Sequence, residues 1–307
     1  MRLLLQTGSA HAGEWRAAFA AALPDAEVAL WPEVPASVDY LAVWKPPAEL
    51  FARVPAPRAI FNLGAGVDSL LRLPTLPADV PVVRLEDAGM AAQMIDYVTL
   101  AVLAVFREQA AYAQQQRAAL WQPRPPLSRR DFGVGVLGFG VLGRAVAAAL
   151  LRFGFPVAGW SRTRSDMAGV DAFAGADELP AFLARSRVLI CLLPSTPSTR
   201  GLLDRARLAA LPRGAHLVNV ARGDIVVEAD LLAALDAGEL AHATLDVFDD
   251  EPLPPAHPFW HHPRITVTPH VSAVTLVDES VAQVAAKIRR LEQGLPIGGI
   301  VDRPRGY

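Results

Sequence analysis

Short apolar runs recur along the first hundred positions: Leu3-Leu4-Leu5, Val28-Ala29-Leu30, Tyr40-Leu41-Ala42-Val43-Trp44 and Ala59-Ile60-Phe61. Between the first two lies an amphipathic, alanine-rich stretch from Trp15 to Ala22. Such alternation predicts parallel strands joined by helices. From about Met94 to Gln116 the pattern changes. Ile95, Val98, Val102, Val105 and Phe106 fall at helical spacing without proline, which predicts one long helix, ended by the prolines of Trp121-Gln122-Pro123-Arg124-Pro125-Pro126. A second alternating series predicts strands at 133–137, 156–160, 187–192, 215–220, 242–246 and 265–268. Six strands separated by helices suit a doubly wound nucleotide-binding domain. A last helix, about Glu279 to Gln293, precedes the tail Val301-Asp302-Arg303-Pro304-Arg305-Gly306-Tyr307.

A chain of 307 residues exceeds what one small core serves, so two domains are expected. With 52% apolar residues, 20% charged and a net charge of −2, nothing in the electrostatics favours nucleic acid or an acidic membrane as partner. Cys191 is the single cysteine and sits in an apolar run, which leaves no intramolecular disulfide and no multi-thiolate metal site. No metal is expected. A reducing cytoplasm fits, since the opening apolar run is too brief for a signal peptide and no run approaches a membrane span.

Phe132-Gly133-Val134-Gly135-Val136-Leu137-Gly138-Phe139-Gly140-Val141-Leu142-Gly143 places G-x-G-x-x-G between a predicted strand and the predicted helix Ala145 to Leu151. Gly138 permits a tight turn, Gly140 lets the backbone approach a pyrophosphate, and Gly143 lets helix and strand pack closely. About twenty residues on, where NAD sites carry an acidic residue against the adenosine ribose, the chain reads Gly159-Trp160-Ser161-Arg162-Thr163-Arg164-Ser165-Asp166. Ser161, Arg162 and Arg164 offer hydroxyl and guanidinium donors suited to a 2′-phosphate. NADPH is expected over NADH, with NADH possible. The alternative is that both arginines are solvated and Asp166 reaches back to the ribose.

Three polar residues then follow predicted strands: Arg222 in Asn219-Val220-Ala221-Arg222-Gly223, Glu251 in Asp249-Asp250-Glu251-Pro252, and His270 in Thr268-Pro269-His270. Reduction of a 2-oxoacid needs a cation to hold the carboxylate and polarise the carbonyl, and an acid for the developing alkoxide. Arginine suits the first role and histidine, beside a carboxylate, the second.

With these motifs in this order, together with Asn62-Leu63-Gly64-Ala65-Gly66-Val67-Asp68, Leu192-Leu193-Pro194-Ser195-Thr196-Pro197 and Leu245 to Leu253, the whole chain resembles the D-2-hydroxyacid dehydrogenases. Trp160-Ser161-Arg162 and the closing Arg305-Gly306-Tyr307 make it most similar to the bacterial glyoxylate/hydroxypyruvate reductase A type. The resemblance implies an α/β protein of two Rossmann-like or flavodoxin-like parallel-sheet domains with the active site in a cleft between them. It assigns 1–94 plus 276–307 to substrate and 95–275 to the dinucleotide.

By the same resemblance Arg222, Glu251 and His270 are catalytic, Glu251 holding His270 and raising its pKa. Val141, Leu142, Leu193, Pro194, Ala221 and Asp246 join the three glycines and Ser161, Arg162 and Arg164 at the cofactor, with Asp246 at the nicotinamide carboxamide. Leu63, Gly64, Ala65 and Gly66 present backbone N–H groups to the substrate carboxylate, and Trp44, Lys45 and Trp121 shape the pocket. The expected partners are a small 2-oxoacid, glyoxylate or hydroxypyruvate, and a second copy of the chain in a homodimer. Reductases of bulkier 2-oxoacids such as phenylpyruvate, 3-phosphoglycerate dehydrogenases and NAD(P)H-sensing binding proteins are the competing readings. Many relatives carry R-G-x-x-V-D after the arginine, where this chain has Arg222-Gly223-Asp224-Ile225-Val226-Val227-Glu228.

Overall fold

The short apolar runs of the first ninety residues are short because each is one strand of a parallel sheet. β1 (Arg2–Gln6), β2 (Glu27–Leu30), β3 (Tyr40–Val43), β4 (Ala59–Asn62) and β5 (Val82–Arg84) lie in the order β2-β1-β3-β4-β5, every neighbour parallel. β3 and β4 are buried at every position, which is why they read as unbroken apolar runs rather than as alternation. The crossovers carry α1 (Ala12–Ala22), α2 (Glu49–Arg53) and α3 (Asp68–Leu71). This computed structural model describes residues 1–8, 11–54 and 56–307.

Internal contacts divide the chain into two units, Met1–Met90 with Thr275–Tyr307, and Ala91–Val274. The returning segment of the first unit forms the C-terminal helix Val277–Glu292 and then guards a sheet edge. Val83 bridges Ile300 in antiparallel fashion, and Val301 N–H donates to the Val82 carbonyl at 2.9 Å. Lys287 is buried on that helix, its ammonium 3.1 Å from both Glu86 Oε2 and the Arg84 carbonyl. Tyr40 donates its hydroxyl to Glu292 at 2.6 Å.

The second unit begins within α4 (Met90–Phe106), which is followed by α5 (Gln109–Arg117). Here the expectation of one helix is corrected. The two are bent by 59° at a break where Glu108 adopts a left-handed φ of 53°. Phe106 ends the apolar stripe by lodging edge-on against Phe132 and Phe155, at 5.2 and 5.3 Å between ring centroids, while α5 is polar and has no buried residue. Among the described residues no single helix is long and apolar enough to cross a membrane.

Then follow β6 (Val134–Leu137), α6 (Val141–Arg152), β7 (Val157–Ser161), β8 (Val170–Ala174), α7 (Gly175–Ala184), β9 (Val188–Cys191), α8 (Arg205–Ala209), β10 (Ala215–Asn219), α9 (Glu228–Asp236), β11 (Leu240–Leu245) and β12 (Ile265–Val267). The sheet order is β12-β11-β10-β9-β6-β7-β8, parallel throughout. It has seven strands rather than six. β8 escapes notice in the sequence because it is an edge strand with no fully buried position. The chain winds one way from β6 through β7 and the other way from β9, so the topological switch lies between β6 and β9. Cys191, at the end of β9, is wholly buried, and burial pushes its thiol up to about 12, so it stays protonated and unreactive.

His216 of β10 packs beside His242 of β11, ring centroids 6.2 Å apart, with its Nδ1 buried and unpartnered. Burial first, then His242 and Arg187, push His216 down to about 4. An unfolded histidine protonates near 6.5, so this group favours the fold above that pH and progressively disfavours it as pH falls toward 4. Urea unfolding at pH 7 and pH 5 is expected to show a loss on the order of 2 kcal/mol that His216→Phe reduces. Equal losses in both proteins would remove His216 as the cause.

Candidate active site

The glycine turn occupies the carboxyl end of β6, at the switch. Gly138 has a φ of 108°, and a Cβ there would lie 2.6 Å from the Leu192 carbonyl carbon at the exit of β9. A Cβ on Gly143 would stand 2.0 Å from the Gly138 oxygen, so only glycine lets α6 begin this close to the strand. At Gly140, by contrast, a Cβ would meet nothing within 4 Å. Gly140 caps α6 with no side-chain hydrogen bond, and Val141 behind it is half exposed. Open space before uncapped N–H groups at a twelve-residue helix fits a diphosphate. Leu193 and Ala221 are buried around the turn and Pro194 is half-buried.

Ser161 ends β7, and its hydroxyl donates to the Thr163 carbonyl at 2.8 Å. Arg162 is exposed beside it. Arg164 is not available in the way the sequence suggested. Its guanidinium forks onto Glu178 at 2.7 and 2.9 Å and donates to the Ala172 carbonyl, a pairing that follows from the unforeseen strand β8. Arg144 on the first turn of α6 supplies a cation that sequence reasoning missed. It lies over the Phe139 ring and donates to Ser165 Oγ at 2.9 Å and the Asp166 carbonyl at 3.0 Å, bracing the 161–166 loop.

Arg222, Glu251 and His270 follow β10, β11 and β12, and a continuous set of contacts ties them together. Asn219, the last residue of β10, donates its amide to the Arg222 carbonyl at 3.0 Å and accepts the Ala221 N–H at 3.2 Å, which fixes the arginine loop. Gly223 then lies against the backbone of Phe248 and Asp249: a Cβ would sit 1.9 Å from the Phe248 carbonyl carbon. Asp224 anchors the far side by accepting from Ser195 Oγ at 2.6 Å.

Glu251 Oε1 accepts the Phe248 N–H at 3.2 Å, and Oε2 lies 2.8 Å from His270 Nδ1. An ionised carboxylate can only accept, so Nδ1 carries the proton and Nε2 is left for chemistry. The His270 side chain is 40% exposed and its backbone holds a φ of 54°.

Asp246 explains that backbone, and here too the structure departs from expectation. Rather than facing a ligand it is wholly buried, with Oδ1 accepting from Thr268 Oγ1 and Val271 N–H and Oδ2 from Ser272 N–H, at 2.6 to 2.9 Å. Its own carbonyl accepts the His270 N–H at 2.8 Å. Tyr97 hydrogen-bonds Thr268 Oγ1 at 2.6 Å, and burial raises its phenol above the ordinary range. Asp246 is therefore a clasp for the histidine loop.

In the first unit the loop after β4 shows the same device. The buried Asn62 donates both amide hydrogens inward, to the Gly64 carbonyl at 2.9 Å and the Gly66 carbonyl at 3.0 Å. Leu63 N–H, expected among the anion donors, instead donates to the Val43 carbonyl at 2.8 Å, so the N–H groups of Gly64 to Gly66 are the ones placed to receive an anion. Thr275 Oγ1 donates to the Leu63 carbonyl at 3.1 Å. Gly64 is required by Trp44, whose indole would come within 2.2 Å of a Cβ there. Lys45, at a φ of 46°, places its ammonium 5.9 Å from the Trp44 ring. Trp121, expected in the pocket wall, is instead 96% exposed and so lines no wall of its own unit. Among the described residues no cluster of histidine, cysteine or acidic side chains could hold a metal.

Comparison with known proteins places these features. Residues 99–272 match the family described as D-isomer specific 2-hydroxyacid dehydrogenase, NAD binding domain. The chain is 47% identical over 303 residues to a glyoxylate/hydroxypyruvate reductase A from Yersinia enterocolitica, covering 97% of each. It is 48% identical to one from Serratia proteamaculans, again covering 97% of each. Among solved structures, a D-isomer specific 2-hydroxyacid dehydrogenase from Xanthobacter autotrophicus, in complex with NADPH, superposes with a TM-score of 0.94 at 43% identity over 99% of both chains. An NADPH-dependent glyoxylate/hydroxypyruvate reductase from Sinorhizobium meliloti gives 0.93 at 38% identity over 100% of this chain and 99% of that one. The histidine held by its glutamate, the locked arginine loop and the open glycine turn thus belong to a member of the D-isomer specific 2-hydroxyacid dehydrogenase family.

Proposed function

We propose that this chain is an NADPH-dependent reductase of 2-oxoacids, converting glyoxylate to glycolate and hydroxypyruvate to D-glycerate. The observation that carries it is the 2.8 Å contact that fixes His270 Nδ1 on Glu251 and leaves Nε2 as the acid. Arg222 receives the substrate carboxylate and polarises the C2 carbonyl, and the N–H groups of Gly64 to Gly66 are the anion donors of the first unit. The dinucleotide, when bound, supplies the hydride for C2. As C2 becomes tetrahedral, His270 Nε2 gives its proton to the carbonyl oxygen, and Glu251 stabilises the imidazolium beforehand. One C=O becomes one CH–OH, and His270 regains its proton from solvent.

The N-terminus of α6 would hold the cofactor's diphosphate, and Ser161 and Arg162 would hold its 2′-phosphate. A charge-assisted hydrogen bond is worth about 1.5–3 kcal/mol, so Arg162→Ala is expected to raise KM for NADPH by about 10- to 100-fold. KM for NADH should stay within about twofold in the same steady-state assay. An equal rise for both would remove Arg162 from the phosphate site.

Homodimerisation is part of the same reading. Leu100, Leu120 and Trp121 are 69%, 51% and 96% exposed along α4 and the segment after α5, apolar side chains that a second copy would cover. Sedimentation equilibrium is expected to give twice the chain mass; a single-chain mass at micromolar concentration would overturn it.

A further inference from the structure

The hydrogen bonds that hold the His270 loop begin on α4, a helix that carries none of the residues given to the chemistry. His270 N–H donates to the Asp246 carbonyl at 2.8 Å, and Thr268 N–H donates to the Leu245 carbonyl at 3.0 Å. Pro269 stands between them and has no N–H to contribute. The side-chain tie before the histidine is therefore the Thr268 hydroxyl, which donates to Asp246 Oδ1 at 2.6 Å. Behind that hydroxyl stands the phenol of Tyr97, its oxygen 2.6 Å from Thr268 Oγ1.

Valence fixes the direction of each proton. The Asp246 carboxylate can only accept, so the one hydroxyl hydrogen of Thr268 points to Oδ1. Oγ1 then has only lone pairs to offer, and Tyr97 must be the donor. Burial raises the phenol above its ordinary range, so it keeps that hydrogen. The ring itself packs against the apolar cluster that contains Val98, Val136 and Val220, which makes α4 a firm support. Phenylalanine would fill the same space, so packing alone does not call for the hydroxyl. A firm support matters at the other end, where His270 holds a left-handed φ of 54° that a residue with a side chain keeps only when its surroundings over-determine it.

We infer that Tyr97 is a positioning residue for the acid: its hydroxyl orients that of Thr268, and through Asp246 it fixes where His270 Nε2 stands when the carbonyl oxygen takes its proton. The inference rests on the reductase reading above. Tyr97 touches neither His270 nor Glu251 in this arrangement, and its effect reaches the ring only through Thr268 and the carboxylate that holds the N–H groups of Val271 and Ser272. A defect in this chain displaces the acid and should therefore appear in kcat, while cofactor binding is spared.

The experiment measures glyoxylate reduction with NADPH in the wild type, Tyr97→Phe, Thr268→Val, Thr268→Ser and the double variant Tyr97→Phe/Thr268→Val. Histidine ring Cε1–H signals are followed by NMR in the same proteins, that of His270 being assigned by its loss in His270→Ala. One neutral hydrogen bond corresponds to about 2- to 10-fold and one to a charged group to about 10- to 100-fold. Tyr97→Phe should accordingly lower kcat by about 2- to 10-fold and Thr268→Val by about 10- to 100-fold, with KM for NADPH within about twofold in both. Both should shift the His270 signal. The double variant should match Thr268→Val within about twofold, because Tyr97 acts through that hydroxyl. Thr268→Ser keeps the hydroxyl and should recover most of the turnover that Thr268→Val loses. An unmoved kcat and His270 signal in Tyr97→Phe, losses that multiply in the double variant, or a Thr268→Ser loss equal to that of Thr268→Val overturns the positioning role alone. A wild type that reduces neither glyoxylate nor hydroxypyruvate overturns the reductase reading and the role with it.

Discussion

His270→Ala is expected to lower kcat for glyoxylate reduction by about 10²- to 10⁴-fold while leaving NADPH affinity within about twofold. The size follows from the proton. Without an acid at the carbonyl oxygen, the alkoxide must take its proton from water, and the transition state loses the charge that Glu251 prepares for it. The specificity of the loss follows from the fold. The His270 side chain is 40% exposed and its Nδ1 contact is with Glu251, whereas its loop is held by Asp246 through backbone groups. Truncating the ring therefore removes chemistry and leaves the loop standing. NADPH fluorescence titration beside steady-state kinetics separates the two effects; turnover retained within about tenfold would remove His270 as the acid.

Gly223→Ala is expected to damage both stability and activity, although it adds one methyl group. The added carbon would stand 1.9 Å from the Phe248 carbonyl carbon and 2.1 Å from the Asp249 nitrogen. These are backbone atoms, which cannot rotate away as a side-chain tip could, so one loop must retreat. Overpacking of this kind costs about 1–3 kcal/mol and occasionally more, which for a chain of this size lowers Tm by roughly 2–5 °C. The retreat also separates the arginine loop from the segment that carries Glu251, so kcat/KM should fall by about 100-fold or more even at temperatures where the variant is folded. Differential scanning calorimetry and kinetics well below the transition check it. Wild-type Tm with wild-type kcat/KM would mean that the two loops do not depend on this contact.

How far the sequence could be read depended on what each residue does. β3, β4, β9 and β10 were plain because strands buried on both faces must be apolar almost throughout. β8 was hidden by its half-exposed edge position and β5 by having three residues. The break at Glu108 carries no glycine or proline to announce it, and only the polarity of α5 hints that the helical face has ended. In the site, Gly138, Gly143, Arg222, Glu251 and His270 were legible because turn geometry or proton chemistry restricts the residue type. Asn62, Asn219 and Arg144 were not, since they act by holding carbonyls or hydroxyls of neighbouring loops, and that is visible only as hydrogen bonds in three dimensions. Asp246, which the resemblance gave to the nicotinamide carboxamide, spends its carboxylate on the loop of His270. Arg164 was misjudged for the same reason, because its partner Glu178 stands on α7 beyond the unseen strand.

Asn62 and Asn219 have a further consequence for how the protein behaves in different solutions. Each sets the shape of an anion-receiving loop through a carboxamide, a group that neither gains nor loses a proton and carries no net charge for salt to screen. The frame that orients the substrate thus keeps its shape across changes of acidity and ionic strength that would loosen a frame built from ion pairs. Salt dependence of the reaction should then report the contacts that Arg222 and Arg162 make with their anions, rather than any reshaping of the loops that present them.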